Sequence, residues 1–218
     1  FTLDNLLIAL KVAPRPILNS FFLSTTATVI GMVFGLAVSY LVVRKGGVIG
    51  YALDLAMMLP LVIAGSVMGI ALAATYNTGP VVLTGTWMII VLAYFIRKTP
   101  FSVKTTSALL RQIEVSVEEA SISLGVSPMK TFVNVTARLM APGVLSGAIL
   151  SWITCINELS SSVMLYGGKT STISVAIYTE VVRNSFGTAA ALASILTVST
   201  VISLLIFLKV SKGRVSVV

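Results

Sequence analysis

Histidine is absent from this chain and cysteine occurs once, at Cys155 inside an apolar run. Zinc and redox centres therefore have almost no ligands to draw on, and a disulfide framework is excluded because it needs a pair of thiols. Charge is scarce too. Asp, Glu, Lys and Arg supply 10% of the 218 residues, where a soluble domain carries about 25%. What fills the sequence instead is apolar: 56% of residues are hydrophobic and the mean hydropathy is +1.02. That excludes a soluble globular fold and predicts an integral membrane protein. The charge-free runs approach the ~20 residues a helix needs to cross the hydrocarbon. Barrel strands would be about ten residues long and would alternate, so the expected fold class is an all-α membrane protein.

Five spans are expected, over about 20–43, 54–74, 82–96, 142–157 and 187–208. The first stops at Arg44-Lys45, the second holds Pro60 and ends at the turn formers Asn77-Thr78-Gly79-Pro80, and the third meets Arg97-Lys98. Five crossings put the termini on opposite sides. The formal charge of +8 lies between the spans and forms no soluble basic domain, so it argues against nucleic acid and reads as a topology signal. Arg44, Lys45, Arg97, Lys98, Lys104, Arg111, Lys130, Arg138, Lys209, Lys212 and Arg214 fall on one face; Lys11, Arg15, Lys169 and Arg183 fall on the other. Positive residues stay inside, which predicts that the polar interval 97–138 and the C-terminus are cytoplasmic. The chain reads as one transmembrane domain over 1–218 with that interval as a loop within it. Residues 1–19 show no signal peptide, and the start at Phe1 is consistent with one half of a longer duplicated protein. Three pairs, Gly31 and Gly35, Gly65 and Gly69, Gly143 and Gly147, have the small-xxx-small spacing of close helix packing in lipid.

The polar interval carries the most information. Thr99-Pro100 predicts a break after the third span. Leu110, Ile113, Val117, Ala120 and Leu124 then recur every three or four residues, with Arg111, Glu114, Glu118 and Ser121 opposite, as in an amphipathic helix. Gly125 closes it, and Ser127 caps a second helix that opens on Pro128. An interfacial hairpin lying on lipid is the alternative. Glu118 and Glu119 favour a protein partner, because anionic lipid repels them.

This interval resembles the cytoplasmic EAA loop of ABC-transporter permeases: Glu119-Ala120-Ser121 matches the triplet, Gly125 the glycine, and Phe132, Val135 and Pro142 the later apolar and proline positions. Ser121 replaces an alanine, and Arg138 stands where many members have proline. The resemblance implies a type I importer permease with a coupling helix over about 116–131. Its ATPase-coupling residues would be Glu118, Glu119, Ala120, Ser121, Gly125, Ser127 and Pro128, with Glu119 anchoring the turn and Gly125 allowing close approach. It further implies a bacterial inner-membrane location and three partners: a cytoplasmic ABC ATPase dimer, a second permease subunit or half, and an extracytoplasmic solute-binding protein. No phosphate-loop motif is present, so ATP and Mg2+ would be used by the ATPase, and this chain would hold no cofactor and catalyse nothing.

Beyond the fourth span, a carboxylate at or inside the membrane is costly unless paired or wet. That makes Glu158, with Asn157, Ser160 and Ser161, the candidate substrate pathway; the bland reading of Glu158 is an outer-boundary residue. Residues 167–172 read as a turn and 173–182 as a helix too short to span. Glu158-Leu159-Ser160, Thr172-Ile173-Ser174-Val175 and Gly187-Thr188-Ala189 resemble permeases for ferric iron, thiamine and phosphonates. Ferric iron is the expected cargo, with thiamine, phosphonate, polyamine or another small solute as alternatives. A secondary transporter is the rival class. It needs ionisable residues at a midplane cavity and usually an internal repeat. A membrane enzyme would need clustered His, Asp or Cys, which the chain lacks.

Overall fold

A computed structural model describes residues 9, 11 and 13–215, with side chains except at 208 and 210–215. Residues 1–8 of the stretch read as free of a signal peptide, and the side chains of Lys212 and Arg214, lie outside it. The described residues form helices throughout. Helix α1 (Pro14–Tyr40) opens on proline and runs through a π-helical turn (Leu41–Lys45). Then come α2 (Gly47–Val62), α3 (Gly65–Thr75) and α4 (Trp87–Leu110). Two short helices, α5 (Val115–Ser123) and α6 (Pro128–Thr131), precede a second π-helical turn (Phe132–Thr136) and α7 (Ala137–Ile156). The chain ends with α8 (Ser162–Leu165), α9 (Ile173–Val182) and α10 (Phe186–Val215).

The expectation of five spans is overturned. Among the described residues three helices are long and apolar enough to cross a membrane, Pro14–Lys45, Pro128–Ile156 and Phe186–Phe207; the α2–α3 pair makes a fourth if counted as one broken span. Two physical causes account for the difference. The run over 54–74 is apolar throughout, yet Ile63 and Ala64 adopt extended ψ values of 127° and 139°, and α3 departs from α2 at 100°. Hydropathy records composition and is blind to this change of direction. The run over 82–96 begins as a turn with Gly85 at φ +81°. The helix starts only at Trp87 and continues past Arg97, Lys98 and Lys104, which are too many cations for an apolar span. Pro100 does not break it. Proline removes one backbone bond, to the carbonyl of Ile96, and a 24-residue helix packed on two sides tolerates that loss. The span expected from 142 likewise starts earlier, because α6, the π turn and α7 form one rod from Pro128.

The centre of the bundle is α4 between α1 and α7. Two of the predicted glycine pairs make this possible. A methyl group at Gly35 would lie 2.9 Å from Ser102 Cβ, and one at Gly147 would meet Thr105 Oγ1 and lie 2.7 Å from Ser102 Cα. Close backbones also allow hydroxyls to bond across helices, where lipid offers no water to satisfy them. Ser39 donates to the Val103 carbonyl at 3.0 Å and Ser151 to the Lys98 carbonyl at 3.0 Å. The register follows from these contacts. Gly31 faces Thr99 and Gly35 faces Ser102, so α1 and α4 run parallel; Gly143 faces Leu109 and Gly147 faces Ser102, so α7 runs against them. Lys98 thus sits level with the middle of α1. Below that level Leu23, Ala27, Ile89, Ile90, Tyr94, Cys155 and Leu165 form the apolar core. Helix α9 docks here through Ile173 N–H, which donates to Ser20 Oγ at 2.8 Å, and it packs on α10.

Candidate coupling loop and mid-bundle ion cluster

Helix α7 stops at Ile156, whose carbonyl accepts from Ser174 Oγ at 3.2 Å at the start of α9, and the chain turns. Glu158 follows the turn, buried at 7% exposure. Its Oε1 accepts from Arg97 Nη1 at 2.6 Å and from Ser161 N–H at 3.3 Å, and its Oε2 lies 2.7 Å from Lys98 Nζ. Arg97 is ten residues into α4, about 15 Å from its start at 1.5 Å per residue. Glu158 therefore meets both cations well inside α4 and not at its first turn. Two cations face one carboxylate, which leaves one positive charge in excess. Gly65 opens α3 at the same place: a Cβ there would stand 2.5 Å from Arg97 Nη1 and 2.7 Å from Ser160 Cβ. The break in the α2–α3 pair, the middle of α4 and the end of α7 thus meet. Ser162 hydroxyl donates to the Glu158 carbonyl at 2.8 Å, so Tyr94 must donate in its 2.6 Å bond to Ser162 Oγ.

The four expected pathway residues divide here. Glu158 and Ser161 are internal; Ser160 and Asn157 are exposed, with Asn157 Nδ2 donating to the carbonyl of Ile153 at 2.8 Å. Arg97 and Lys98 were read as a span boundary, and their role in the cluster was missed. The available signal was Glu158 itself, because a carboxylate amid apolar sequence demands a counter-cation.

The polar interval differs from its expected form. The stripe from Leu110 to Leu124 does not lie on one helix: α4 keeps Leu110, a turn occupies 111–114, and α5 spans nine residues. Burial does not follow the stripe either. Glu118 is 7% exposed, while Leu124 is 84% and Met129 71% exposed. The cause is Arg44 at the end of α1. Its Nε donates to Glu118 Oε1 at 2.9 Å, its Nη2 donates to the Ile113 carbonyl at 3.1 Å, and Tyr40 hydroxyl donates to Glu118 Oε2 at 3.2 Å. Glu119 and Ala120 face outward. Gly125 closes α5 at φ +85°, and no atom stands within 4 Å of where its Cβ would be. Glycine is needed there for the left-handed turn; it makes no close approach within the chain. Ser127 holds the N-cap position of α6 but its side chain makes no capping bond; its carbonyl accepts from Thr131 N–H at 2.9 Å. Ser121 and Thr131 hydroxyls, 3.0 Å apart, tie the two short helices together. An open groove of about 340 Å³, lined by Ala37, Tyr40, Leu41, Pro128, Met129 and Phe132, runs beside them.

Apolar helices pack around a buried ion cluster, with a structured loop at one end, as a membrane-embedded subunit would be built. The chain belongs to the family of inner membrane components of binding-protein-dependent transport systems, whose pattern matches residues 27–216. It is 30% identical to the ferric transport system permease protein FbpB of Actinobacillus pleuropneumoniae, over 88% of this chain and 28% of that protein. It is 29% identical to a probable sulfate transport system permease protein, cysT, of Anthoceros angustus, over 93% of this chain and 77% of that one. Its fold matches the crystal structure of a bacterial alginate ABC transporter in complex with its alginate pentasaccharide-bound periplasmic protein. The TM-score is 0.74 at 16% identity, covering 98% of this chain and 88% of that one. The chain spans about a quarter to a half of the length of the first curated relatives it matches.

Proposed function

We propose that this chain is the permease component of an ATP-driven importer that carries a small solute from an extracytoplasmic binding protein to the cytoplasm. In this reading residues 115–131 seat the chain on a cytoplasmic ABC ATPase dimer, which uses ATP and Mg2+. A second permease subunit or half completes the path through the lipid bilayer. The observation that carries the reading is the tip of the loop, where Leu124 and Met129 are 84% and 71% exposed beside Gly125 and the outward-facing Glu119 and Ala120. Exposed apolar side chains grouped at a turn, rimmed by polar ones, fit a groove on another protein. Glu119, Ala120, Gly125, Ser127 and Pro128 are the contact residues; Ser121 ties the two short helices together, and Glu118 acts from inside. The excess of Lys and Arg at that end supports a cytoplasmic position for it under the positive-inside rule.

For the cargo we propose ferric iron, on the likeness around Glu158 and the ferric relative. The cluster favours a second reading, an oxyanion, because Arg97 and Lys98 outnumber Glu158 and both carboxylate oxygens are already engaged. Asn157 and Ser160 then offer the exposed polar atoms of the pathway.

The test is Gly125→Val in cells expressing the whole transporter, with uptake of radioactive ferric iron, sulfate and a phosphonate measured in parallel. The unaltered chain identifies the cargo. The variant should remain in the membrane and lose uptake roughly tenfold or more, since couplings between sites commonly reach 5–150-fold. Normal uptake at normal expression would overturn the coupling role of the loop.

A further inference from the structure

The loop between α4 and α7 is covalently continuous with those two helices only. By side-chain bonding it is fastened to a third. The last turns of α1 touch the loop at three separate places: Arg44 Nη2 bonds the Ile113 carbonyl in the turn before α5 at 3.1 Å, Arg44 Nε and Tyr40 hydroxyl bond Glu118 within α5 at 2.9 and 3.2 Å, and the Tyr40 ring packs edge-on against Phe132 after α6, centroids 4.7 Å apart. Glu118 and Arg44 side chains are 10% and 13% exposed, so water competes weakly for these bonds and they are stronger than a surface pair. The loop's other acid near this point, Glu119, faces outward.

We infer that Glu118 is a positioning residue that transmits displacement of the loop into α1 through Arg44, so that all three central helices are driven together. This rests on the proposed function, in which an ATPase moves the loop. Without the link, a push on the loop reaches α4 and α7 through the backbone, while α1 follows only through its packing on α4 and the Ser39–Val103 bond. With it, α1 is pulled from its own end. Since α1 lies against α4 at Gly31 and Gly35, relative sliding of the two is restrained.

The test uses the permease with its ATPase in lipid nanodiscs and spin labels at Leu18 and Val182, which are 69% and 64% exposed and report the N-terminal end of α1 against α9. Trapping with ATP and vanadate should change this distance in the unaltered chain. Glu118→Gln should shrink the change by more than about half, and the exchange Arg44→Glu with Glu118→Arg should restore it, which a loss of packing alone would not do. Arg44→Lys keeps the charge but not the forked geometry and should give an intermediate change; it carries the same test where Glu118→Gln fails to insert. A full-sized change in Glu118→Gln, or in Arg44→Lys where that variant stands in for it, overturns the proposal while leaving the docking of the ATPase intact. Failure of the ATPase to bind the unaltered chain overturns the proposed function and this link with it.

Discussion

Glu158 Oε2 stands 2.7 Å from Lys98 Nζ, joining the middle of α4 to the turn after α7. Arg97 shares the same carboxylate, so the three charges are unequal in what their removal leaves behind. Without Glu158, two half-buried cations remain unpaired; without Lys98, one neutral pair remains. Breaking a buried pair from one side costs about 3–5 kcal/mol. Glu158→Gln should therefore lower the melting temperature of the detergent-solubilised protein markedly, and Lys98→Met should lower it much less. Equal losses, or a larger loss for Lys98→Met, would show that charge balance does not hold this cluster together.

Helix contact in the centre depends on absent side chains. A methyl group at Gly147 would lie 2.7 Å from Ser102 Cα, a backbone atom that cannot rotate away. Gly147→Ala should destabilise the protein by about 1–3 kcal/mol, the usual cost of overpacking. Gly168, where a Cβ meets nothing within 4 Å, is the control, and Gly168→Ala should change stability by less than about 0.5 kcal/mol. Chemical denaturation in mixed micelles separates the two, and indistinguishable midpoints would contradict the packing described here.

The tip of the coupling loop makes the opposite prediction. Leu124 is exposed and supports little of the fold, so Leu124→Ser should leave the melting temperature within about 1 °C of the unaltered chain. A central apolar contact in an interface is worth about 2 kcal/mol, so the same substitution should weaken ATPase retention by roughly thirtyfold. Co-purification at graded ATPase concentration reads this directly. A loss of stability without a loss of affinity would place Leu124 in the fold and not at an interface.

Much of this arrangement was legible in the sequence for a specific reason. The three glycine pairs announced helix contacts because lipid-embedded helices approach closely only over small residues, and Gly65 and Gly69 indeed sit against Arg97 and Met164. The short helix over 173–182 was legible from its length, and the structure adds its cap, Thr172, whose hydroxyl accepts from Val175 N–H. What hydropathy hid was direction and depth. A uniformly apolar run gives no sign that Ile63 and Ala64 turn the chain by 100°, and Arg97-Lys98 looks like a membrane boundary until Glu158 is found beside it. The loop was misread through periodicity: one apolar stripe was read as one amphipathic helix, whereas a turn at 111–114 divides it and Arg44, more than sixty residues away in sequence, draws Glu118 in and leaves Leu124 out.

The charge distribution predicts an orientation of the chain that can be checked with one thiol at a time. Cys155 is fully buried, so it contributes little background to labelling by a membrane-impermeant maleimide, and both exposure and pKa govern that reaction. Lys169 and Leu124 are both exposed, on loops at opposite ends of the bundle. Arg44, Lys45, Lys104, Arg111, Lys130 and Arg138, toward the Leu124 end, predict that it is cytoplasmic. Chains carrying Lys169→Cys should accordingly label in intact spheroplasts, and chains carrying Leu124→Cys should label only in inside-out vesicles. The reverse pattern would invert the topology and put the loop beyond the reach of any cytoplasmic ATPase. Labelling of both sites from one side would require an even number of crossings between them, whereas one rod, Pro128–Ile156, separates Leu124 from the turn that leads to Lys169.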